Sequence, residues 1–431
     1  MTILLDVFYL LAALVISPVI VYRVFRHKRY RTGWAERFGR VAHKDPAAKC
    51  IWLHAVSVGE VNASRTIVQE LQKKLSDFEI VISATTDTGM ARARALFGDR
   101  LQVFYFPFDL SWVMRRAFDR IRPTICLLME LEVWPNFVET ARRRNIPVVV
   151  VNGRLSDKSF SGYKRIRPFV KGTFRKISLF LAQTDEYARR FRRIGAAADK
   201  VIVTGSLKYD TAQTDGGVEG ADALVKQLGL DSKRLWVAGG TGNDEEQILL
   251  GVYRDLRQDS LFSDLRLAIV PRKPERFDEV AALIEQTGLA FVRYSQIKAN
   301  PTALPSGEPE VILGDTMGDL RKFYSLATII FVGRSLVPMG GSDMMEAAAL
   351  GKCTTFGPHA FNFRQTVDAL LAAEGAILVR DAGHLLATMK KCLSEPDFTA
   401  KIAENGREVI KNNQGATART IEQIARLLGR V

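Results

Sequence analysis

Cysteine and histidine are scarce in this 431-residue chain, with four and five copies respectively. Cys50, Cys126, Cys353 and Cys392 are too scattered for a metal knuckle or a disulfide framework, which points to a reducing compartment. The histidines show no metal-ligand spacing, so no metal site is expected. No stretch satisfies GxxxxGK[ST], which excludes a P-loop. No D-x-D follows a strand, so a metal-bridged diphosphate site has no support. Short repeats of the solenoid kind and low-complexity segments are absent. Long apolar runs are limited to one, ILLDVFYLLAALVISPVIVY at residues 3–22.

That run is as long as a bilayer core is thick, since twenty helical residues extend about 30 Å. Asp6 lies near one end, where the interface can solvate it, and Pro18 is tolerable in a membrane helix. Arg23, Arg26, Lys28, Arg29 and Arg31 follow at once. The positive-inside rule therefore predicts an anchor over 1–22, spanning or monotopic, with everything behind it in the cytoplasm. A cleavable signal peptide fits less well, because its basic region should precede the apolar run and no A-x-A site is evident. Charge is unevenly placed. Residues 1–208 hold 36 Lys+Arg against 18 Asp+Glu, whereas 209–431 hold 25 against 29. The excess of +18 in the first half suits an anionic partner such as a membrane or a phosphorylated lipid.

The hydrophobic fraction of 47% supports large cores. Apolar, β-leaning runs at 50–55, 79–84, 101–105, 125–129, 147–151, 179–182 and 201–204 alternate with helical patterns. TAQTDGGVEGADA at 211–223 reads as a linker. Strands resume at 235–239, 266–270, 290–293, 310–313, 329–332, 353–356 and 376–379, and the chain ends in helices. This alternation predicts parallel sheets in two Rossmann-like domains, 23–210 and 224–431, with ligands at the carboxyl ends of the strands in a cleft between them.

Residues 51–60, IWLHAVSVGE, form a strand, a tight turn and then Glu60 at a helix start, with Val61, Ile67, Val68, Leu71 and Leu75 on one helical face. An anion-favouring position thus carries the protein's own carboxylate, and the helix dipole is expected to keep it ionised. In the second domain, GTGNDEE (240–246) lacks the third Gly of a dinucleotide fingerprint. Gly239, Gly240 and Gly242 let a ligand approach the backbone, and Asn243 or Asp244 can cap the next helix. VPRKPERF (270–277) groups Arg272, Lys273 and Arg276 on a rigid loop suited to a phosphate. In VGRSLVPMGGSDMME, Ser342 or Asp343 can cap a helix whose Glu346 reaches a ribose diol. Glu36, close to Arg31, Arg37 and Arg40, is a second candidate base or an ion-pair partner.

HAVSVGE, TDTGMARA, YFPFD, LMELEVWPN, NGRLS, VTGSLKYD, VPRKPERF, GDTMGD, VGRSLVPMGG and FGPHAFNF together resemble the Kdo (3-deoxy-D-manno-octulosonic acid) transferases in order and spacing. The resemblance implies a GT-B glycosyltransferase, inverting and without a cofactor, acting at the cytoplasmic face of the inner membrane. It implies CMP-Kdo as donor, a lipid A precursor as acceptor, anionic inner-membrane lipids as surroundings and no nucleic acid. It places the general base at Glu60 and transition-state stabilisation at Glu130 and Lys208. Donor contacts fall on Pro271 and Arg272, on Met317, Gly318 and Asp319, and on Asp343, Met344, Met345 and Glu346. Three departures touch donor binding: Lys273 stands where the family has His, GTGNDEE replaces an STHEGEE-like turn, and GGSDMME replaces GGHNPLE. The other function classes in view are a GT-B-like sugar-nucleotide epimerase or hydrolase, a transferase with a different CMP-sugar, and a non-catalytic nucleotide-sugar binder.

Overall fold

The computed structural model describes residues 5–12, 14, 15, 17, 22, 32–42, 45, 47–214, 217–300 and 308–430. Residues 5–12 are helical. The rest of the expected anchor, at 1–4, 13, 16 and 18–21, and its basic flank at 23–31 lie outside the described residues. Among the described residues, no helix is long and apolar enough to cross a membrane.

Two compact units form, Met1–Thr211 with Gln414–Val431, and Ala212–Asn413. The first is built on β1 (Lys49–Ala55), β2 (Phe78–Ala84), β3 (Gln102–Tyr105), β4 (Ile125–Met129), β5 (Val148–Gly153), β6 (Leu179–Ala182) and β7 (Val201–Val203). They pair in parallel in the order β3-β2-β1-β4-β5-β6-β7. The second holds β8 (Arg234–Thr241), β9 (Leu265–Pro271), β10 (Phe291–Arg293), β11 (Val311–Leu313), β12 (Ile329–Val332), β13 (Cys353–Phe356) and β14 (Ile377–Leu378). Their order is β10-β11-β9-β8-β12-β13-β14. Every expected strand forms, with ends shifted by at most two residues.

Helices cover both faces of each sheet, so successive side chains of a strand enter different cores. In β1, Cys50 and Trp52 pack with Phe104, Phe118 and Phe137. Ile51, Leu53 and Ala55 pack with Val61, Ile67, Val68 and Leu71 of the helix Val58–Lys74. Each such large apolar side chain stabilises the fold by about 1.5–3 kcal/mol.

The chain's end departs from expectation. The second domain was expected to run to 431, but the amphipathic helix Ala416–Leu427 belongs to the first unit. It buries Ala416, Ile421 and Ile424 in the core that holds Leu71. Asp210 caps it, accepting from Gly415 N–H at 2.7 Å and Thr417 N–H at 2.5 Å, and Arg419 donates to the Thr204 carbonyl at 2.8 Å. Amphipathic spacing predicts such a helix but does not say which core it covers. The expected linker is also shorter than 211–223, because the helix Ala221–Gln227 of the second unit begins inside it.

Replacing Asp210 with Ala leaves the two capping amides without their partner. The first unit is expected to lose about 1–2 kcal/mol, read as a lower denaturation midpoint at unchanged slope.

Candidate active site

In both sheets the chain leaves a central strand in two directions. The resulting switch points lie between β1 and β4 in the first unit and between β8 and β12 in the second. Helices diverge there, so the carboxyl ends of those strands are where ligands bind.

Glu60 stands one turn past β1. Ser57 is extended (φ −118°, ψ 166°) and begins the helix Val58–Lys74. Glu60 Oε2 accepts the Val56 N–H at 2.9 Å and Oε1 accepts the Ser57 hydroxyl at 3.0 Å. The pattern is a Ser-x-x-Glu box in which the glutamate does the capping, and it fixes the direction of a carboxylate that is only 8% exposed. The helix end is not the main influence on the Glu60 carboxylate. Burial is the largest influence and raises its pKa, the Val56 amide opposes it, the Glu130 carboxylate adds to it, and Ser57 opposes it. A terminal dipole amounts to roughly half a charge at the helix end, too little to outweigh desolvation. The raised value moves the group toward the working pH, where a general base is most effective.

Glu130 follows β4 in the left-handed region (φ 53°) and donates its N–H to the Val151 carbonyl at 2.9 Å. Two residues on is Glu132, which the sequence reading did not single out. Its Oε2 accepts from Trp134 Nε1 at 3.1 Å. Burial pushes Glu132 up to about 7, with the carboxylates of Glu60 and Glu130 adding to it. Three glutamates thus act on one another at the first switch point. The doubled acid in MELE was the available signal. His54, also in HAVSVGE, is fully buried, stacked on Phe106 at 3.8 Å between centroids and bonded through Nδ1 to Ser83. Burial lowers its pKa to about 3, so it is neutral and serves packing.

Lys208 follows β7 and is exposed. Its loop is tied to β5, because Leu207 N–H donates to Asn152 Oδ1 at 3.1 Å, one residue beyond the Val151 that receives Glu130. Among the described residues its ammonium has no ion pair. Glu36 is structural: Oε2 accepts the Tyr105 N–H at 2.8 Å, and no arginine among the described residues pairs with it, while Arg37 pairs with Asp87 at 3.7 Å.

In the second unit, Tyr324 reports how the expected donor residues converge. Its phenol is raised first by burial, then by the charges of Glu346 and Asp343, and is opposed by Arg272. Pro271 ends β9 and leaves Arg272 exposed. Asp343 Oδ1 accepts the Met345 N–H at 2.9 Å, and Arg321 stands 3.7 Å from the half-buried Glu346. Burial raises the Glu346 pKa, and Arg321 lowers it. The side chains of Met344 and Met345 are buried, whereas Met317 is exposed beside Gly318.

Four expectations change. The glycines at the end of β8 and just past it make room for protein, not ligand: a Cβ at Gly239, Gly240 or Gly242 would stand 2.3–2.7 Å from Tyr324, Ser342 or Met339. Neither Asn243 nor Asp244 caps the next helix. Instead buried Glu245 accepts from Gly242, Arg334, Ser335 and Leu336 N–H groups at 2.5–3.3 Å, joining the loops after β8 and β12. Arg276 is held by Glu246 at 2.6 Å and Glu279 at 2.8 Å, so it is not available to a phosphate. The Asp319 carboxylate is occupied by Lys298, Lys322 and Thr316, and despite the cost of burial its pKa falls to about 2.

Comparison with known proteins agrees with this picture. A family profile described as 3-Deoxy-D-manno-octulosonic-acid transferase (kdotransferase) matches residues 32–211. The 3-deoxy-D-manno-octulosonic acid transferase of Haemophilus influenzae is 33% identical over 429 residues, 98% of this chain and 99% of that one. The enzyme of that name from Bordetella pertussis is 32% identical over 438 residues, again 98% and 99%. Among solved structures, UDP-GlcNAc 2-epimerase from Neisseria meningitidis bound to UDP-GlcNAc aligns with a TM-score of 0.56 over 88% of this chain and all of that one. At 14% identity the likeness is one of GT-B-like fold alone.

Glu132 binds a proton more tightly folded than unfolded, so its contribution to stability falls as pH rises from the ordinary glutamate range to about 7. The melting temperature is expected to drop over that window, and less steeply in Glu132→Gln. Equal slopes in calorimetric scans would contradict this.

Proposed function

The chain belongs to the family of 3-deoxy-D-manno-octulosonic acid (Kdo) transferases, and from that premise we propose how it moves Kdo from CMP-Kdo to a hydroxyl of the lipid A precursor in lipopolysaccharide biosynthesis. It is a glycosyltransferase, and the acceptor hydroxyl must shed a proton as its oxygen attacks the anomeric carbon. Glu60 takes that proton. The observation that carries this reading is the fixed direction of the Glu60 carboxylate, held by Val56 and Ser57 at the end of β1.

The new carbon–oxygen bond forms while the bond from the same carbon to the phosphate oxygen of CMP breaks. The electron pair leaves with CMP, and in-line displacement inverts the anomeric centre. Positive charge grows at that carbon as the leaving group departs, and Glu130 stabilises it. Lys208, with no ion pair among the described residues, neutralises the Kdo carboxylate or the departing phosphate. Arg272 grips that phosphate from the stiff loop after β9, and Glu346 accepts from the ribose diol.

The proposal extends to location. The protein sits on the inner membrane with its N-terminal helix in the bilayer and its catalytic units on the cytoplasmic face. Support comes from exposed Phe8, Leu10, Leu11, Leu14 and Val15 along that helix. The exposed rings of Trp34, Phe38, Phe108 and Trp112 add a second patch, with neighbouring centroids 5.5–6.2 Å apart. Aromatic rings favour the membrane interface, and the basic half of the chain suits anionic headgroups.

Glu60→Gln is expected to lower kcat by about 10²–10⁴-fold without weakening CMP binding, measured as CMP release from CMP-Kdo in the presence of a tetra-acylated lipid A precursor. Full activity in that variant refutes the base assignment, and equal turnover without the lipid refutes the transferase reading. In flotation assays the full chain should associate with vesicles containing phosphatidylglycerol and stay bound as salt rises, because salt screens charge and leaves hydrophobic insertion in place. A chain that stays with the soluble fraction at low salt contradicts the membrane placement.

A further inference from the structure

The segment that carries Glu130 and Glu132 runs straight into the helix Pro135–Arg143, whose N-cap residue, Trp134, makes no side-chain cap. The cap comes from elsewhere. Asp109, in YFPFD, accepts the Phe137 N–H on Oδ1 at 2.7 Å and the Asn136 N–H on Oδ2 at 3.0 Å. Asn136 is 1% exposed, and its side-chain amide donates to the Asp109 carbonyl at 2.6 Å and to Asp6 Oδ1 at 2.9 Å.

Asp6 belongs to the N-terminal helix. It was expected to be solvated at a membrane interface, and it is instead bonded to the soluble unit. The same carboxylate accepts the N–H of Ser111 at 2.8 Å and its hydroxyl at 2.5 Å, capping the helix Ser111–Ile121, which has no side-chain cap of its own. Tyr9, one turn further on, donates to Asp109 Oδ2 at 3.2 Å. Two polar side chains of an otherwise apolar helix therefore converge on one junction, where the helix after the catalytic glutamates begins.

We infer that Asp6, Tyr9, Asp109 and Asn136 form a positioning network through which the N-terminal helix sets the placement of the Glu130–Trp134 loop. A tether needs no such bonds, because an apolar helix partitions into lipid by its hydrophobic surface alone. A strut does need them. The loop is short, Glu130 is held in a left-handed backbone conformation, and Pro135 at the helix start restricts the approach. A shift of the first helical turn is therefore passed back to the two carboxylates. The N-terminal helix on this view contributes to turnover as well as to location. The four residues touch no reacting atom and act through the loop.

The inference rests on the role given to Glu130 above, and the experiment separates the two. The full chain is assayed in detergent micelles with CMP-Kdo and a tetra-acylated lipid A precursor, so that membrane attachment is not limiting. Asp6→Ala and Asn136→Ala are expected to lower kcat about tenfold or more, since small displacements of reacting groups are costly. Both Michaelis constants should stay within about threefold. The acid limb of the kcat profile should also move, because the repulsion among Glu60, Glu130 and Glu132 changes with the loop. Tyr9→Phe, which removes one hydroxyl, should fall between these variants and the parent. A merely structural role lowers the folded fraction and leaves kcat per CMP-binding site and the acid limb unchanged. That result in all three variants, with Glu130→Gln inactive, overturns the inference alone. A fully active Glu130→Gln overturns the reading of the loop and this inference with it.

Discussion

A crossover between parallel strands is right-handed, and this one steric rule governs where the chemistry of both units can sit. A chain that starts mid-sheet and fills first one side and then the other must send its helices to opposite faces. Where the two directions part, nothing covers the strand ends. In the first unit that gap is flanked by β1 and β4, and Glu60 and Glu130 are the residues just beyond them. In the second it is flanked by β8 and β12, whose loops are sewn together by Glu245. The sites follow from the topology before any residue is chosen for its reactivity.

The carboxylates at these ends share a problem and solve it in two ways. A buried carboxylate loses water worth several kcal/mol and recovers about 1.5–3 kcal/mol from each hydrogen bond that a charged group accepts. Asp319 meets two lysines and a threonine, and its pKa sinks. Among the described residues Glu60 and Glu132 meet neutral donors and other carboxylates, and theirs rise. The first arrangement yields a rigid corner whose charge is spent. The second yields groups that hold a proton more tightly than a solvated glutamate does, Glu132 up to about 7.

Much of the fold was legible because strands buried on both faces read as unbroken apolar runs, and turn residues bound them. Glu60 was legible for the same local reason, as the first acid after a strand. Glu130 and Lys208 came from the resemblance rather than from pattern. What escaped depends on contacts distant in sequence. Glu132 sits two residues from Glu130, yet its character comes from burial beside Glu60. The return of Ala416–Leu427 to the first unit depends on Asp210, some two hundred positions away. Cys353 and Cys392, spaced like unrelated residues, have sulfurs 3.9 Å apart because β13 and the helix Ala382–Ser394 share a core. The dipole argument for Glu60 is incomplete for a further reason: it weighs one local influence, and burial by the rest of the unit is the largest.

Ion pairing divides the cations of the two units into committed and uncommitted ones. The basic residues near the two switch points are many, but most are already committed: Arg276 to Glu246 and Glu279, Lys298 and Lys322 to Asp319, and Arg321 to Glu346. Arg272 and Lys208 are exposed at strand ends, and no ion pair holds them among the described residues. An unpaired cation in such a place adds nothing to stability, and side-chain entropy opposes fixing it. One such cation lies beyond β9 and the other beyond β7.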